Sequence, residues 1–86
     1  MKRVVTFGTF DVFHLGHLRI LERARSLGDW LIVGVSTDAL NLKKKARMPV
    51  FPESERIRIV ASLRCVDEVF AEESLELKRE YLLAHR

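Results

Sequence analysis

The six residues from Trp30 to Val35, W-L-I-V-G-V, are apolar throughout, with no polar residue at every second place. A strand with one wet face would alternate, so this run has to be covered on both faces, as in a parallel sheet sandwiched by helices. Upstream, Val4, Val5 and Phe7 form a short β-branched and aromatic run that stops at Gly8, which predicts a first strand from about Arg3 to Phe7. Between the two runs, from about Leu15 to Leu27, the apolar residues Leu18, Leu21, Ala24 and Leu27 recur every three positions, with Arg19, Glu22, Arg23 and Arg25 among them. That spacing predicts an amphipathic helix, closed by Gly28 as a C-terminal cap. Strand, helix and strand in about thirty residues make a βαβ unit.

Farther along, Asn41 to Phe51 holds Lys43, Lys44, Lys45, Arg47 and Pro49 without a usable period, and reads as a mobile basic loop. Pro52 sits where a helix would begin, with Glu53 and Glu55 in the first turn where the helix dipole favours acids. This second helix is expected to run to about Leu63, followed by a strand from Val66 to Phe70 and a third helix opening near Ser74. The order β-α-β-α-β-α with right-handed crossovers gives an α/β fold, a Rossmann-like open parallel sheet with helices on both faces. Repeats, low-complexity tracts and linkers are absent, so residues 1–86 read as one domain.

Composition narrows the partners. The 86 residues are 48% hydrophobic and 31% charged with the two signs interleaved, as in a folded domain with a thin core. A net charge of +3 suits phosphate-bearing small molecules and is too weak to imply nucleic acid. The single cysteine, Cys65, lies near Leu63 and Val66 and reads as a buried thiol in a reducing compartment. After Met1, Lys2 and Arg3 the apolar run is too short for a signal core or a membrane span, so the expectation is a cytoplasmic protein without a membrane partner.

In open α/β sheets ligands bind beyond the carboxyl ends of the strands, which points to Gly8-Thr9-Phe10-Asp11-Val12-Phe13-His14-Leu15-Gly16-His17 after the first strand. Gly8 permits a tight exit from the strand, and Gly16 leaves room for a ligand beside the first turn of the helix. If the helix begins near His14, the three-residue spacing turns His14 and His17 toward the same ligand. Unpaired N–H groups at a helix start plus two imidazole donors suit polyphosphate oxygens and the charge that builds at a phosphorus under attack. A zinc pair would need a further Cys or His at ligand spacing, and none is near, so no metal ligands are assigned.

G-T-F-D-V-F-H-L-G-H, followed by L-x-x-L-E-R-A-R-S-L-G-D and by V-S-T-D-x-x-N from Val35 to Asn41, resembles the cytidylyltransferase family within the nucleotidyltransferases marked by H-x-G-H. The likeness covers essentially the whole chain. It implies that Gly8, Thr9, Phe10, Asp11 and Gly16 help hold a nucleotide, while His14 and His17 contact its phosphates in the transition state. It further implies a catalytic phosphate contact for Lys44, which also borders the acceptor, and a second such contact for Lys45 or Arg47, between which the residues leave the choice open. By the same resemblance Arg56 is a catalytic arginine at the start of the second helix, and Lys78 faces the acceptor.

The implied reaction is transfer of CMP from CTP to a small phosphorylated acceptor such as glycerol 3-phosphate, with Mg²⁺ carried on the nucleotide phosphates and pyrophosphate released. An adenylyltransferase using ATP and a noncatalytic nucleotide-binding or self-associating module are the alternatives. The family continues with another strand and an R-T-x-G-I-S-x-T stretch, neither of which this sequence matches, so it reads as a fragment or a reduced relative. Without that strand the first strand becomes a sheet edge, which leads to the expectation of a homo-oligomer.

Overall fold

The computed structural model describes residues 1–73. Along the chain lie β1 (Arg3–Gly8), α1 (Leu15–Arg25), β2 (Trp30–Ser36), α2 (Asp38–Lys45), α3 (Glu53–Ala61) and β3 (Glu68–Glu72). The strands are parallel in the order β1-β2-β3, with Val5 opposite Ile32 and Val33 opposite Val69. The unalternating run thus forms the middle strand, where Leu31, Ile32, Val33 and Val35 are each no more than 1% exposed. The third helix expected near Ser74, with Lys78, lies outside the described residues.

Both crossovers step in the same direction across the sheet, so right-handedness places α1 and α3 on the same face. Val4, Leu31, Val33, Val35 and Val69 point to that face and pack with Leu21 and Ala24 of α1 and Ile57 and Val60 of α3. On the other face Phe7 and Phe70 meet edge to face, with ring centroids 5.8 Å apart, over Gly34. A Cβ at Gly34 would lie 2.7 Å from one ring and 2.8 Å from the other, so only glycine lets the flanking rings meet there.

Several boundaries differ from the sequence expectation, α3 ending at Ala61 and not near Leu63 among them. Residues 38–45, expected as part of a loop, form α2: Thr37 caps it by accepting the Leu40 N–H at 3.1 Å, and Ala46 ends it at φ 56°, the left-handed cap usually given to glycine. The helix buries Leu40 and Asn41 alone, too narrow a stripe to show as a period among three lysines. α1 stops at Arg25, leaving Leu27 60% exposed. Gly28 does not cap it through positive φ; it is small because a Cβ there would come within 2.7 Å of the Lys2 carbonyl oxygen. β3 begins at Glu68, two residues later than expected, because the ladder with β2 starts at the Ile32–Glu68 pair, while Val66 packs in the core ahead of it.

Candidate active site

His14 has extended backbone angles and is the N-cap of α1, a position where Ser, Thr, Asp and Asn are the usual choices. Its Nδ1 accepts the Gly16 N–H at 3.0 Å, and Nδ1 of His17 accepts the His14 N–H at 3.1 Å, a capping box built from two imidazoles. Each Nδ1 therefore presents a lone pair, so in the neutral ring the proton sits on Nε2, which is left free to donate. The ring centroids are 4.1 Å apart, bringing the histidines together as their spacing predicts. Gly16 serves this arrangement more directly than it serves a ligand, since a Cβ there would lie 2.7 Å from Cε1 of His14. Both histidines and the glycine of H-x-G-H are thus explained by one cap.

His17 is half-buried, with Phe10 and Phe13 at centroid distances of 5.8 and 5.2 Å. Burial, and secondarily the neighbouring His14, hold its pKa below the ordinary histidine value despite the opposing charge of Asp11, which favours the neutral donor at pH 7. Phe10 is itself 7% exposed in the core and takes φ 53°, and Val12 takes φ 49°. Left-handed angles at a phenylalanine and a valine are costly and persist where surrounding contacts enforce them.

Beneath this turn Arg56 is 1% exposed, and its donors tie together the Thr9 turn, the end of β2, the start of α2 and Phe51. Nε donates to Phe51 O at 2.9 Å, Nη1 to Thr9 O at 2.8 Å and Ser36 O at 2.7 Å, and Nη2 to Asp38 Oδ1 at 2.7 Å. The arginine implied to touch substrate is therefore placed under the site as a tie and is committed to protein acceptors. Asp38 and Glu53 also cap each other's helices: the Asp38 N–H donates to Glu53 Oε1 at 3.0 Å and the Glu53 N–H to Asp38 Oδ2 at 3.3 Å. Thr9 Oγ1 donates to Asn41 Oδ1 at 3.1 Å and accepts from Ser36 Oγ at 3.2 Å, while Asn41 Nδ2 donates to Ser36 Oγ at 2.8 Å and Thr37 O at 2.9 Å.

A cleft of about 520 Å³ opens beside these residues at the carboxyl end of β1. Gly8, Thr9, Phe10, Asp11 and His17 form one wall, and Lys45, Arg47, Met48, Pro49 and Val50 another. Lys45 reaches toward Thr9 Oγ1 at 3.5 Å. Both Lys45 and Arg47 thus border the cleft, whereas Lys44, on the exposed surface of α2, and His14 do not line it. Burial would raise the Asp11 carboxyl, but the Phe51, Val50 and Val12 amides and the Arg56 charge outweigh it and bring the pKa below the usual value. Cys65, half-buried between α3 and β3 and packed against the core, has a thiol pushed up mainly by burial, consistent with packing and not with nucleophilic chemistry.

Within V-S-T-D-x-x-N, from Val35 to Asn41, the sequence alone assigns no residue a role of its own. In the structure Ser36, Thr37, Asp38 and Asn41 all brace the site, and the signal that could have found them was Thr37-Asp38 as an N-cap and first-turn acid. Met48 and Val50 were missed because nothing local distinguishes a cleft wall from an exposed loop.

The chain is 44% identical over 85 residues to the glycerol-3-phosphate cytidylyltransferase of Bacillus subtilis (strain 168), covering 99% of this chain and 65% of that protein. It is 54% identical over 67 residues to the FAD synthase of Methanothrix thermoacetophila, covering 78% of this chain and 46% of that protein. The crystal structure of the lipopolysaccharide core biosynthesis protein from Thermoplasma volcanium GSS1 superposes with a TM-score of 0.88 at 29% identity, over 99% of this chain and 68% of that one. Among the described residues no helix is long and apolar enough to cross a membrane. The Cytidylyltransferase-like family model matches residues 5–86, and the chain belongs to that family.

Proposed function

We propose that this chain carries the nucleotide-binding part of an enzyme that transfers CMP from CTP to a small phosphorylated acceptor, glycerol 3-phosphate being the first candidate, with release of pyrophosphate. The observation that carries the reading is the reciprocal cap, which leaves the Nε2–H of both rings unspent at the start of α1, with His17 lining the cleft and His14 against His17. The 44% identity to a glycerol-3-phosphate cytidylyltransferase supports the choice of CTP and acceptor. An acceptor phosphate oxygen attacks the α-phosphorus in line and pyrophosphate leaves, so the protein's task is alignment and stabilisation of developing charge. His17 donates from Nε2 to the phosphate oxygens, with His14 beside it, and Lys45 and Arg47 supply positive charge from the facing wall.

Among the described residues no three His, Cys, Asp or Glu side chains gather as metal ligands, and both Asp11 oxygens accept backbone N–H groups. These described residues do not fit a resident Mg²⁺, which enters this reading as a companion of the nucleotide phosphates.

The identity to FAD synthases favours a second reading, transfer of AMP from ATP. Isothermal titration of the chain with CTP and with ATP, paired with pyrophosphate release in the presence of glycerol 3-phosphate, separates them. Tighter binding of CTP with pyrophosphate release supports the first, tighter binding of ATP the second. Binding of neither nucleotide would overturn both.

A further inference from the structure

The two walls of the cleft belong to segments far apart in the chain, and one carboxylate joins them. Asp11 Oδ2 accepts the Val50 N–H at 2.6 Å, and Oδ1 accepts the Phe51 N–H at 2.9 Å and the Val12 N–H at 3.1 Å. Charge-assisted bonds of this kind are about twice as strong as neutral ones. The residues on either side of Asp11, Phe10 and Val12, are the left-handed ones, so the turn places its strain around the carboxylate that reaches across. Val50 itself lines the cleft, along with Arg47 and Met48 a few residues before it. What holds the Val50 and Phe51 amides therefore also sets how far Arg47 stands from His17.

We propose that Asp11 is a positioning residue that fixes the width of the nucleotide cleft by docking the 46–51 segment through the Val50 and Phe51 amides. Its carboxylate is then spent on the protein, not on the ligand, and its effect on nucleotide affinity is carried by the wall it holds. The affinity part rests on the cleft being the nucleotide site; the docking part does not.

Residue-resolved hydrogen exchange on the unliganded 86-residue chain, compared with Asp11→Ala and Asp11→Asn, tests the docking directly. Loss of the bonds is expected to speed exchange at Val50 and Phe51 roughly tenfold or more, with Leu31 and Val33 unchanged. Asn retains one acceptor oxygen but puts an NH₂ against the other N–H, so exchange should speed at one of the two amides and not the other. If Ala at this position unfolds the chain, the Asn variant and the slow exchange expected of Val50 in the parent decide the matter. Exchange at both amides within about twofold of the parent in a folded variant would overturn the proposal. Where the parent binds CTP, the Kd is expected to rise roughly tenfold in the variant with the enthalpy of binding reduced, and an unchanged Kd would overturn the affinity part. Failure of the parent to bind CTP or ATP would instead count against the proposed function, while the exchange comparison still decides the docking.

Discussion

The turn from Gly8 to His14 and the segment from Ala46 to Phe51 face each other across the cleft, and they are held in different ways. The turn is fastened from below: Arg56 holds the Thr9 carbonyl, Ser36 and Asn41 hold its hydroxyl, and the Phe10 ring sits in the core. The facing segment, exposed from Ala46 through Met48 and continuous with the exposed lysines of α2, is docked at its far end by the amides on Asp11 and by the Phe51 carbonyl on Arg56. Donors fixed before the ligand arrives need no reorganisation when charge develops, whereas exposed Lys and Arg side chains lose rotamer freedom when they engage. Directed donors therefore sit on the rigid wall and adaptable positive charge on the other.

The comparison breaks most readily at Arg56. Arg56→Ala leaves three carbonyls and the Asp38 carboxylate without their donor and should cost about 3–5 kcal/mol in urea unfolding. Lysine should not restore it, because one ammonium cannot reproduce the planar fork. A loss below about 1 kcal/mol would show that the turn is not fastened from below.

Next in size is His17→Ala, expected to lower pyrophosphate release by the active enzyme about a hundredfold while costing about 1 kcal/mol of stability through the cap. Turnover within a few-fold of the parent would remove His17 from the chemistry. On the adaptable wall, Lys45→Ala and Arg47→Ala should change stability by less than about 0.5 kcal/mol and weaken nucleotide binding roughly tenfold, read by titration calorimetry. Equal loss of stability at Lys45 and Arg56 would erase the distinction between the walls.

The smallest effect concerns acid. The folded pKa of His17 lies below the 6.5 of the free side chain, so the unfolded chain takes up the proton first as pH falls. The stability that depends on neutral His17 is fully present above pH 6.5 and is lost as pH drops through the folded value. Protonation also places the His17 Nδ1–H against the His14 N–H in the cap, so the ¹⁵N shifts of the His17 ring should report the Nε2–H tautomer at pH 7 and lose it, along with helix protection, as pH falls through the folded value. A different tautomer at pH 7 would contradict the cap.

How much of this was legible depended on how local the cause was. The buried middle strand and the first strand followed from runs of like residues, and the pairing of His14 with His17 followed from their spacing. The helix after β2 was lost because three consecutive lysines hide a stripe made of Leu40 and Asn41. The bracing role of Arg56, expected only as a catalytic contact, was hidden because its partners Thr9 and Ser36 lie 47 and 20 residues away, and no spacing encodes them. Histidine as an N-cap was equally hidden, since the cap signals taken from sequence are hydroxyls and carboxamides.

The meeting of Phe7 and Phe70 over Gly34 has a spectroscopic consequence. A glycine α-proton lying within contact distance of two aromatic rings feels their induced magnetic fields, so the Gly34 resonance should be displaced well away from that of Gly28, whose nearest neighbours are Lys2 and Val4 and include no ring. Because the rings belong to β1 and β3, that one resonance reports whether all three strands are in register.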